Sequence, residues 1–247
     1  MMPSLAEAVV AAVMVFVGST VLGTVGFGMG LSTSPVLLLV FDPQTVVVVI
    51  NTISIALFVL VIAKNRTHLH VREITPISIA GLAGVPVAVY VLSAVSAGVL
   101  RIGITALILA LTALTATNFR SRLPPGGLLG LVVGFIVSVL INTTGIGGPL
   151  IVLYALSRGW SRNEVRASLA LYFLVIEGAG VTGYIVSGLL TQERAVLVLI
   201  VLAPLVLGFW LATNLVGRMN EAVFRRAVLS VITVASVVVL VRELATL

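Results

Sequence analysis

The sequence predicts an all-α integral membrane protein with two inverted-topology repeats, each made of a broken, re-entrant-like helix hairpin and three full transmembrane helices. Composition is the first reason, because 60% of the 247 residues are hydrophobic and only 9% are charged. The second reason is a pair of glycine-rich stretches that recur at a fixed distance within apolar sequence. The third is the uneven distribution of Lys and Arg among the connections.

The composition excludes a soluble domain, since the mean hydropathy is +1.28. Residues 8–41 hold no charged side chain, and similar runs recur, each near the roughly 20 residues that a membrane span needs. The net charge of +6 comes without a basic stripe of interleaved aromatics, so we expect the lipid bilayer as partner and no nucleic acid. There is no cysteine, hence no disulfide and no thiolate metal site, and we expect neither metal nor cofactor.

The two glycine-rich stretches are Gly23–Pro35 and Asn142–Pro149. A shift of 119 positions places Gly26 on Gly145, which indicates a duplication. Glycine weakens a helix and proline suits the first turn of a new one, so each stretch predicts a helix, a break and a second helix. In a bilayer such backbone is tolerated where it is buried or lines a wet cavity, and paired breaks point to a transporter's binding site.

The segments follow from the apolar runs between polar turns. We expect the first repeat at residues 1–117, a cytoplasmic linker at 118–127 and the second repeat at 128–247, which together form one transport domain. The first repeat is predicted to hold spans at about 5–22, 44–63, 76–92 and 98–117, with a short half-helix at 32–41. The second holds segments at about 128–141, 167–190, 195–216 and 223–241, with a half-helix at 150–156. The half-helices are too short to cross a bilayer comfortably.

The basic residues predict the orientation. If each hairpin returns to its own side, eleven of the fourteen Lys and Arg residues share one face, which marks it as cytoplasmic. They are Lys64, Arg66, Arg72, Arg120, Arg122, Arg158, Arg162, Arg166, Arg218, Arg225 and Arg226. Arg101, Arg194 and Arg242 remain on the other face. Both termini are then outside, and the halves are inserted in opposite orientations, as in many secondary transporters.

At these motifs the chain resembles the TauE/SafE family of sulfite exporters. The resemblance rests on the loop from Gly26 to Gly30 with Pro35, the loop Gly145–Pro149, and the stretch Asn163–Ser168. It implies a small anion permease of the prokaryotic plasma membrane. It also implies substrates such as sulfite, sulfoacetate or products derived from taurine.

The residues of the two loops suit an anion site. A half-helix that begins inside the membrane presents free N–H groups and the positive end of its dipole. Hydroxyl and amide side chains nearby add neutral hydrogen-bond donors. The predicted substrate-binding residues are Gly26, Gly28, Gly30, Ser32, Thr33, Ser34, Asn51, Thr52, Asn142, Thr143, Thr144, Gly145, Gly147 and Gly148. The alternative is that glycines only allow close helix packing, which is what we expect for Gly126, Gly130 and Gly134.

Glu177 is the only acid well inside a predicted span. Intramembrane carboxylates are costly, so it is a candidate for proton coupling, with a structural glutamate as the equal alternative. His68 and His70 lie in a basic loop, and without a nearby carboxylate or cysteine a solvated loop is the better prediction than a metal pair.

We therefore expect a secondary transporter, and specifically an exporter, of small sulfur-containing oxyanions that works by alternating access. Export is favoured because an interior-negative potential drives an anion outward, by about 2.3 kcal/mol per charge per 100 mV. The main alternative is an anion channel, or a permease for a non-sulfur small anion or carboxylate. An intramembrane enzyme is disfavoured because no span holds a cysteine or histidine. A passive scaffold leaves the matched broken helices unexplained.

Overall fold

The computed structural model describes residues 3–116 and 127–214 together with Val237 and Val241. Within these residues all regular structure is helical. The helices are α1 (Leu5–Val25), α2 (Met29–Leu37), α3 (Pro43–Asn65), α4 (Val71–Ala94), α5 (Ala97–Ala116), α6 (Gly127–Thr144), α7 (Gly148–Ser157), α8 (Arg162–Val186) and α9 (Gln192–Asn214), with a 3-10 turn at Arg66–His68. The predicted linker at 118–127 and the last predicted span at 223–241 lie outside the described residues, apart from Gly127, Val237 and Val241. The same holds for Arg120, Arg122, Arg218, Arg225, Arg226 and Arg242.

Six of the described helices are long and apolar enough to cross a membrane, by length and composition. They are α1, α3, α4, α6, α8 and α9. The predicted all-helical, multi-pass membrane protein is therefore confirmed. α2 and α7 have 9 and 10 residues. At about 1.5 Å per residue each covers roughly half of a hydrocarbon core about 30 Å thick.

Side-chain caps start three of the described helices, α1, α3 and α8. Ser4 and Ser161 each accept the N–H of a glutamate three residues later in a capping box, and Asp42 caps α3 by accepting the N–H of Thr45 at 2.8 Å. Two helices start about five residues earlier than predicted. α8 begins at Arg162 instead of about 167, and α4 begins at Val71 instead of 76. In both cases the first turn is polar, so an apolar-run criterion misses it although a cap or turn initiates the helix.

Close helix packing uses glycine. α1 lies along α9, α4 along α6, and α3 against α8. A Cβ on Gly134 of α6 would lie 2.5 Å from the carbonyl oxygen of Ile77 in α4, and one on Gly130 would lie 2.5 Å from the hydroxyl of Tyr154. These two glycines therefore have the packing role predicted for them. Gly126 lies outside the described residues.

The two halves correspond element by element. Adding 119 to the first residues of α2 and α3 gives residues 148 and 162, at which α7 and α8 begin. The same shift carries α1 onto α6 and α4 onto α9, so that the packed pair α1 and α9 corresponds to the packed pair α6 and α4. Equivalent helices thus make equivalent contacts.

The equivalent helices α3 and α8 run antiparallel. Arg194, in the first turn of α9 and so close in sequence to the end of α8, lies 3.2 Å from Asp42 at the start of α3. At the other end, His70, just after α3, lies 2.9 Å from Glu164 at the start of α8. The end of each helix is therefore beside the start of the other.

Candidate functional site

Both breaks are three residues long and begin with a left-handed glycine. α1 ends at Gly26 (φ 94°) and α2 begins after Gly28 (φ 93°). In the second half, α6 ends at Gly145 (φ 73°) and α7 begins after Gly147. Gly26 and Gly145 each donate their N–H to the carbonyl four residues earlier, which closes the preceding helix. A left-handed backbone at these points favours glycine, since a side chain there is strained.

The two loops pack directly against each other. A Cβ on Gly30 would overlap the carbonyl oxygen of Gly145, and a Cβ on Gly148 would lie 3.0 Å from Cδ2 of Phe27. The glycines of one loop therefore admit the backbone and side chains of the other. At Gly30 there is no room even for a Cβ, so this contact between the loops requires glycine there.

The loops lie at the middle of the two central spans. Ser54 of α3 donates to the sulfur of Met29 in the first loop region at 3.4 Å. Ser54 and Phe173 of α8 both line the space between the loops, and each is eleven residues beyond the first residue of its helix. That distance is about 16 Å along a helix, near the midpoint of helices of 23 and 25 residues.

A small cavity lies between the loops. Both glycine loops line it, together with residues from the middle of α3 and α8. Its volume of about 30 Å³ holds about two water molecules, and a solute of four heavy atoms needs roughly twice that space. The cavity is therefore too small for such a solute, which it would admit only if the loops separated.

Two helix N-termini converge on this cavity. Gly28 and Gly147 are the N-cap residues of α2 and α7, and neither helix has a side-chain cap. The first N–H groups of a helix lack intrahelical partners and form the positive end of its dipole. Two such ends that meet at one cavity favour an anion or an electronegative oxygen.

Glu177 also lines the cavity and is 1% exposed. Its Oε2 has no hydrogen-bond partner, and among the described residues no Lys, Arg or His lies within 4.0 Å of its carboxyl group. The 119-residue shift pairs Glu177 with Phe58, and Phe173 with Ser54, all four of which line the cavity. The rings of Phe58 and Phe173 stack at 5.3 Å. The two sides of the cavity thus come from corresponding elements but carry different side chains.

Comparison with known proteins identifies the chain's family. The model of the family described as "Sulfite exporter TauE/SafE" matches residues 10–239, which is most of the chain. The chain belongs to the TauE/SafE family. The predicted resemblance is therefore confirmed, and the chain is a member of a membrane transporter family. No match was found among curated proteins or among solved structures.

About half of the predicted site residues line the cavity of this TauE/SafE protein. Those that line it are Gly28, Gly30, Asn51, Gly145, Gly147, Gly148 and Glu177. Those that do not are Gly26, Ser32, Thr33, Ser34, Thr52, Asn142, Thr143 and Thr144. Whether any of them contacts substrate stays a prediction.

Most of the predicted hydroxyl donors are already engaged. Ser32, Thr33, Thr52 and Thr144 each donate to a backbone carbonyl within their own helix, at 2.6–2.9 Å. The Thr143 hydroxyl donates to the carbonyl of Ala88 at 3.4 Å. Short polar side chains in helices commonly bond backward in this way. Such hydroxyls become available to a ligand only if they turn away from the backbone.

Ser34 differs from the other hydroxyl residues. Its Oγ is buried and has no partner, and it lies 3.9 Å from where a Cβ on Gly145 would be. It therefore faces the second loop from α2, beside the contact that closes the cavity. A small movement of the loops would bring it to the cavity.

Sequence reasoning did not identify several residues that line or support the cavity of this TauE/SafE protein. Ser54, Phe58 and Phe173 line the cavity, and the 119-residue shift applied to Glu177 would have pointed to Phe58. Arg166 supports the first loop from α8, because its Nη2 donates to the carbonyl of Gly23 at 2.6 Å. It lies in the stretch Asn163–Ser168, which contributed to the family resemblance but was assigned no role.

The expectation for His70 needs a correction, because the fold brings carboxylates to it. Its Nε2 lies 2.9 Å from Glu164 and its Nδ1 lies 3.9 Å from Glu73. The ring stacks on Trp160 with the centroids 4.8 Å apart. His70 therefore joins α4 to α8 instead of lying free in a solvated loop. His68 is exposed, and no group of three potential metal ligands occurs in the described part of the chain.

Proposed function

We propose that this TauE/SafE protein is a secondary transporter that moves small sulfur-containing oxyanions, such as sulfite or organosulfonates, by alternating access. The observation that supports it most is the convergence of two half-helix N-termini on one small cavity at the middle of the central spans. The substrate is bound there between the loops around Gly28 and Gly147. In the cell the protein resides in a prokaryotic plasma membrane.

Neutral donors suit a carrier of anions. The residues that line the cavity include no Lys or Arg, so the attraction comes from backbone N–H groups and two helix dipoles. Such partial charges hold an anion without the tight ion pair that would slow its release. The remaining predicted residues, among them Ser34, contribute when the loops separate.

Alternating access is supported by the relation between the halves. The equivalent helices α3 and α8 run antiparallel, and the pair α1 and α9 corresponds to the pair α6 and α4. In carriers with inverted repeats, two such halves exchange conformations and expose a fixed midplane site first to one side and then to the other.

The direction is export, with both termini outside. Of the described basic residues, Lys64, Arg66, Arg72 and Arg158 lie at the end where α3 finishes and α8 starts. Arg194 and Arg101 lie at the opposite end, close to Asp42 and the carbonyl of Phe41. The excess of basic residues assigns the first end to the cytoplasm. An interior-negative potential then drives an anion outward.

Counterflow in proteoliposomes tests the proposal. Vesicles are loaded with unlabelled sulfite, sulfoacetate, sulfate, acetate or chloride, and the entry of labelled sulfite is followed. We expect transient accumulation when sulfite or sulfoacetate is inside, and little with chloride. Labelled sulfite entry without accumulation would indicate a channel. Accumulation driven by acetate alone would indicate a carboxylate permease, and either result would overturn the proposal.

A further inference from the structure

The amide of Asn51 in the cavity can only accept hydrogen bonds from a ligand. Its Nδ2 donates to the carbonyl of Ile141 and to the hydroxyl of Tyr184, each at 3.0 Å. A carbonyl oxygen cannot donate, so the atom facing Ile141 is the nitrogen, and this fixes the orientation of the amide. Both N–H groups are used, and only Oδ1 remains for a ligand.

Tyr184 locks this orientation from α8. Its hydroxyl donates to the carbonyl of Asn142 at 2.6 Å, so its single proton is used and it can only accept from Asn51. Asn51 is 1% exposed and Tyr184 is fully buried, so no solvent competes for these bonds. Tyr184 does not line the cavity, and it acts on a ligand only through Asn51.

The oxygen left over on Asn51 faces the loops. It is 3.9 Å from where a Cβ on Gly145 would be, and it makes no hydrogen bond with the described residues. Glu177, with its unpartnered Oε2, lines the same cavity. The cavity therefore combines backbone N–H donors at the helix ends with unpaired acceptors on the side of α3 and α8.

We propose that the site selects oxyanions that bring their own hydrogen-bond donor, and that Asn51, positioned by Tyr184, is the residue that selects them. Such an ion is a monoanion with an O–H or N–H group beside its charged oxygens, for example hydrogensulfite in place of the sulfite dianion. The charged oxygens face the helix N-termini and the donor faces Asn51. The inference rests on the proposed function and adds the protonation state of the substrate to it.

The test compares two anions of equal charge and nearly equal shape. Sulfamate carries an amino group on its sulfur and so has N–H donors, whereas methanesulfonate carries a methyl group in that place and has none. Both stay monoanions at neutral pH, so the ionisation of Glu177 and Tyr184, the titratable groups that face Asn51 from α8, is the same in both measurements. We expect sulfamate to inhibit sulfite counterflow at a roughly tenfold lower concentration, since a buried acceptor left unpaired costs about that factor in affinity.

Two tyrosine variants distinguish the positioning of Asn51 by Tyr184 from the packing role of any buried tyrosine in α8. Tyr184→Phe frees one N–H of the Asn51 amide, which can then donate to an anion that has no donor of its own, and so it should reduce the preference for sulfamate. Tyr172→Phe is the matched control, because Tyr172 is also a buried residue of α8 whose hydroxyl donates to a backbone carbonyl, that of Gly134 at 2.5 Å. It should keep the preference for sulfamate.

The outcomes distinguish this inference from the proposed function. If sulfite exchanges but the wild-type protein responds equally to both inhibitors, or prefers methanesulfonate, the inference is overturned while the transport function stands. If Tyr184→Phe keeps the full preference, Tyr184 does not position Asn51. If Tyr184→Phe is not recovered folded, Asn51→Leu removes the acceptor directly and should abolish the preference. If no sulfur oxyanion exchanges at all, the proposed function fails and this inference fails with it.

Discussion

At the scale of the residue, a few buried polar atoms in or beside the cavity have no hydrogen-bond partner. The Oε2 of Glu177 and the Oγ of Ser34 are buried without a hydrogen bond. Buried polar groups are rarely left unpaired, because each costs free energy. In a transporter the missing partner is naturally the substrate, a proton or a transient water. Such atoms are therefore the first places to look for a functional role.

Glu177→Gln should remove a pH dependence from transport. An ionised carboxylate in the cavity repels an anion, so wild-type transport of sulfamate should fall as the pH rises from roughly 5 to 8. Glutamine mimics the neutral acid, and its transport should stay near the high, low-pH rate. Sulfamate is used because its own charge does not change over this range.

Glu7→Gln is the matched control, since Glu7 caps the start of α1 and lies outside the cavity. Its pH profile should match that of the wild type. A Glu177→Gln protein with an unchanged pH profile would assign Glu177 the structural role that remains its alternative.

The sequence located Glu177 and Asn51 because polar residues stand out in an apolar run. It did not indicate which atoms face the cavity. Thr52 follows Asn51 directly, yet its hydroxyl bonds to the carbonyl of Val48 and it does not line the cavity. One position on a helix turns the side chain by about 100°, and spans that are apolar on every side give no periodicity from which to assign the face.

At the scale of the element, the two half-helices define the site. Their existence was predictable, because glycine, proline and hydroxyl residues cluster at matched places in the sequence. Their exact starts were not. Proline was expected in the first turn of each, which holds for Pro149 but not for Pro35, which lies near the end of α2. The break is therefore made by left-handed glycine alone in the first half.

Gly28→Ala should destabilise the protein at the first break because of backbone strain and not because of a steric clash. A Cβ there would meet only Val21, at 3.7 Å, but the φ of 93° is strained for alanine. We expect a destabilisation of about 1–2 kcal/mol, seen as a lower melting temperature in detergent. Gly103→Ala is the control, because it lies within α5 with no atom within 4 Å of its Cβ, and it should raise stability by about 0.5–1 kcal/mol. An equal melting temperature for Gly28→Ala and the wild type would contradict this account of the break.

At the scale of the whole molecule, corresponding helices of the two halves make equivalent contacts. The sequence indicated the duplication through the 119-residue shift, and the starts of α7 and α8 agree with it. The sequence did not predict that the loops would interlock, with Gly30 against Gly145 and Gly148 against Phe27. Contacts between residues more than a hundred positions apart leave no local pattern in the sequence, so only the structure reveals this contact between the two loops.

Single cysteines should report the predicted orientation, on a chain that has no cysteine of its own. Lys64→Cys and Arg158→Cys are exposed at the end assigned to the cytoplasm, and Ser96→Cys and Ser187→Cys are exposed at loops assigned to the outside. In intact cells an impermeant thiol reagent should label the second pair only. In inverted vesicles it should label the first pair. Labelling of Lys64→Cys in intact cells would contradict the topology.

The central claim is that sulfur oxyanions are bound and moved between the two loops. Counterflow of labelled sulfite in proteoliposomes, compared for the wild type, Gly30→Ala and Gly103→Ala, tests it most directly. A Cβ at Gly30 enters the contact with Gly145, whereas one at Gly103 meets nothing. We predict sulfite-driven accumulation in the wild type and Gly103→Ala, and its loss in folded Gly30→Ala protein. Wild-type exchange by Gly30→Ala, or no sulfite exchange by any of the three, would contradict the account.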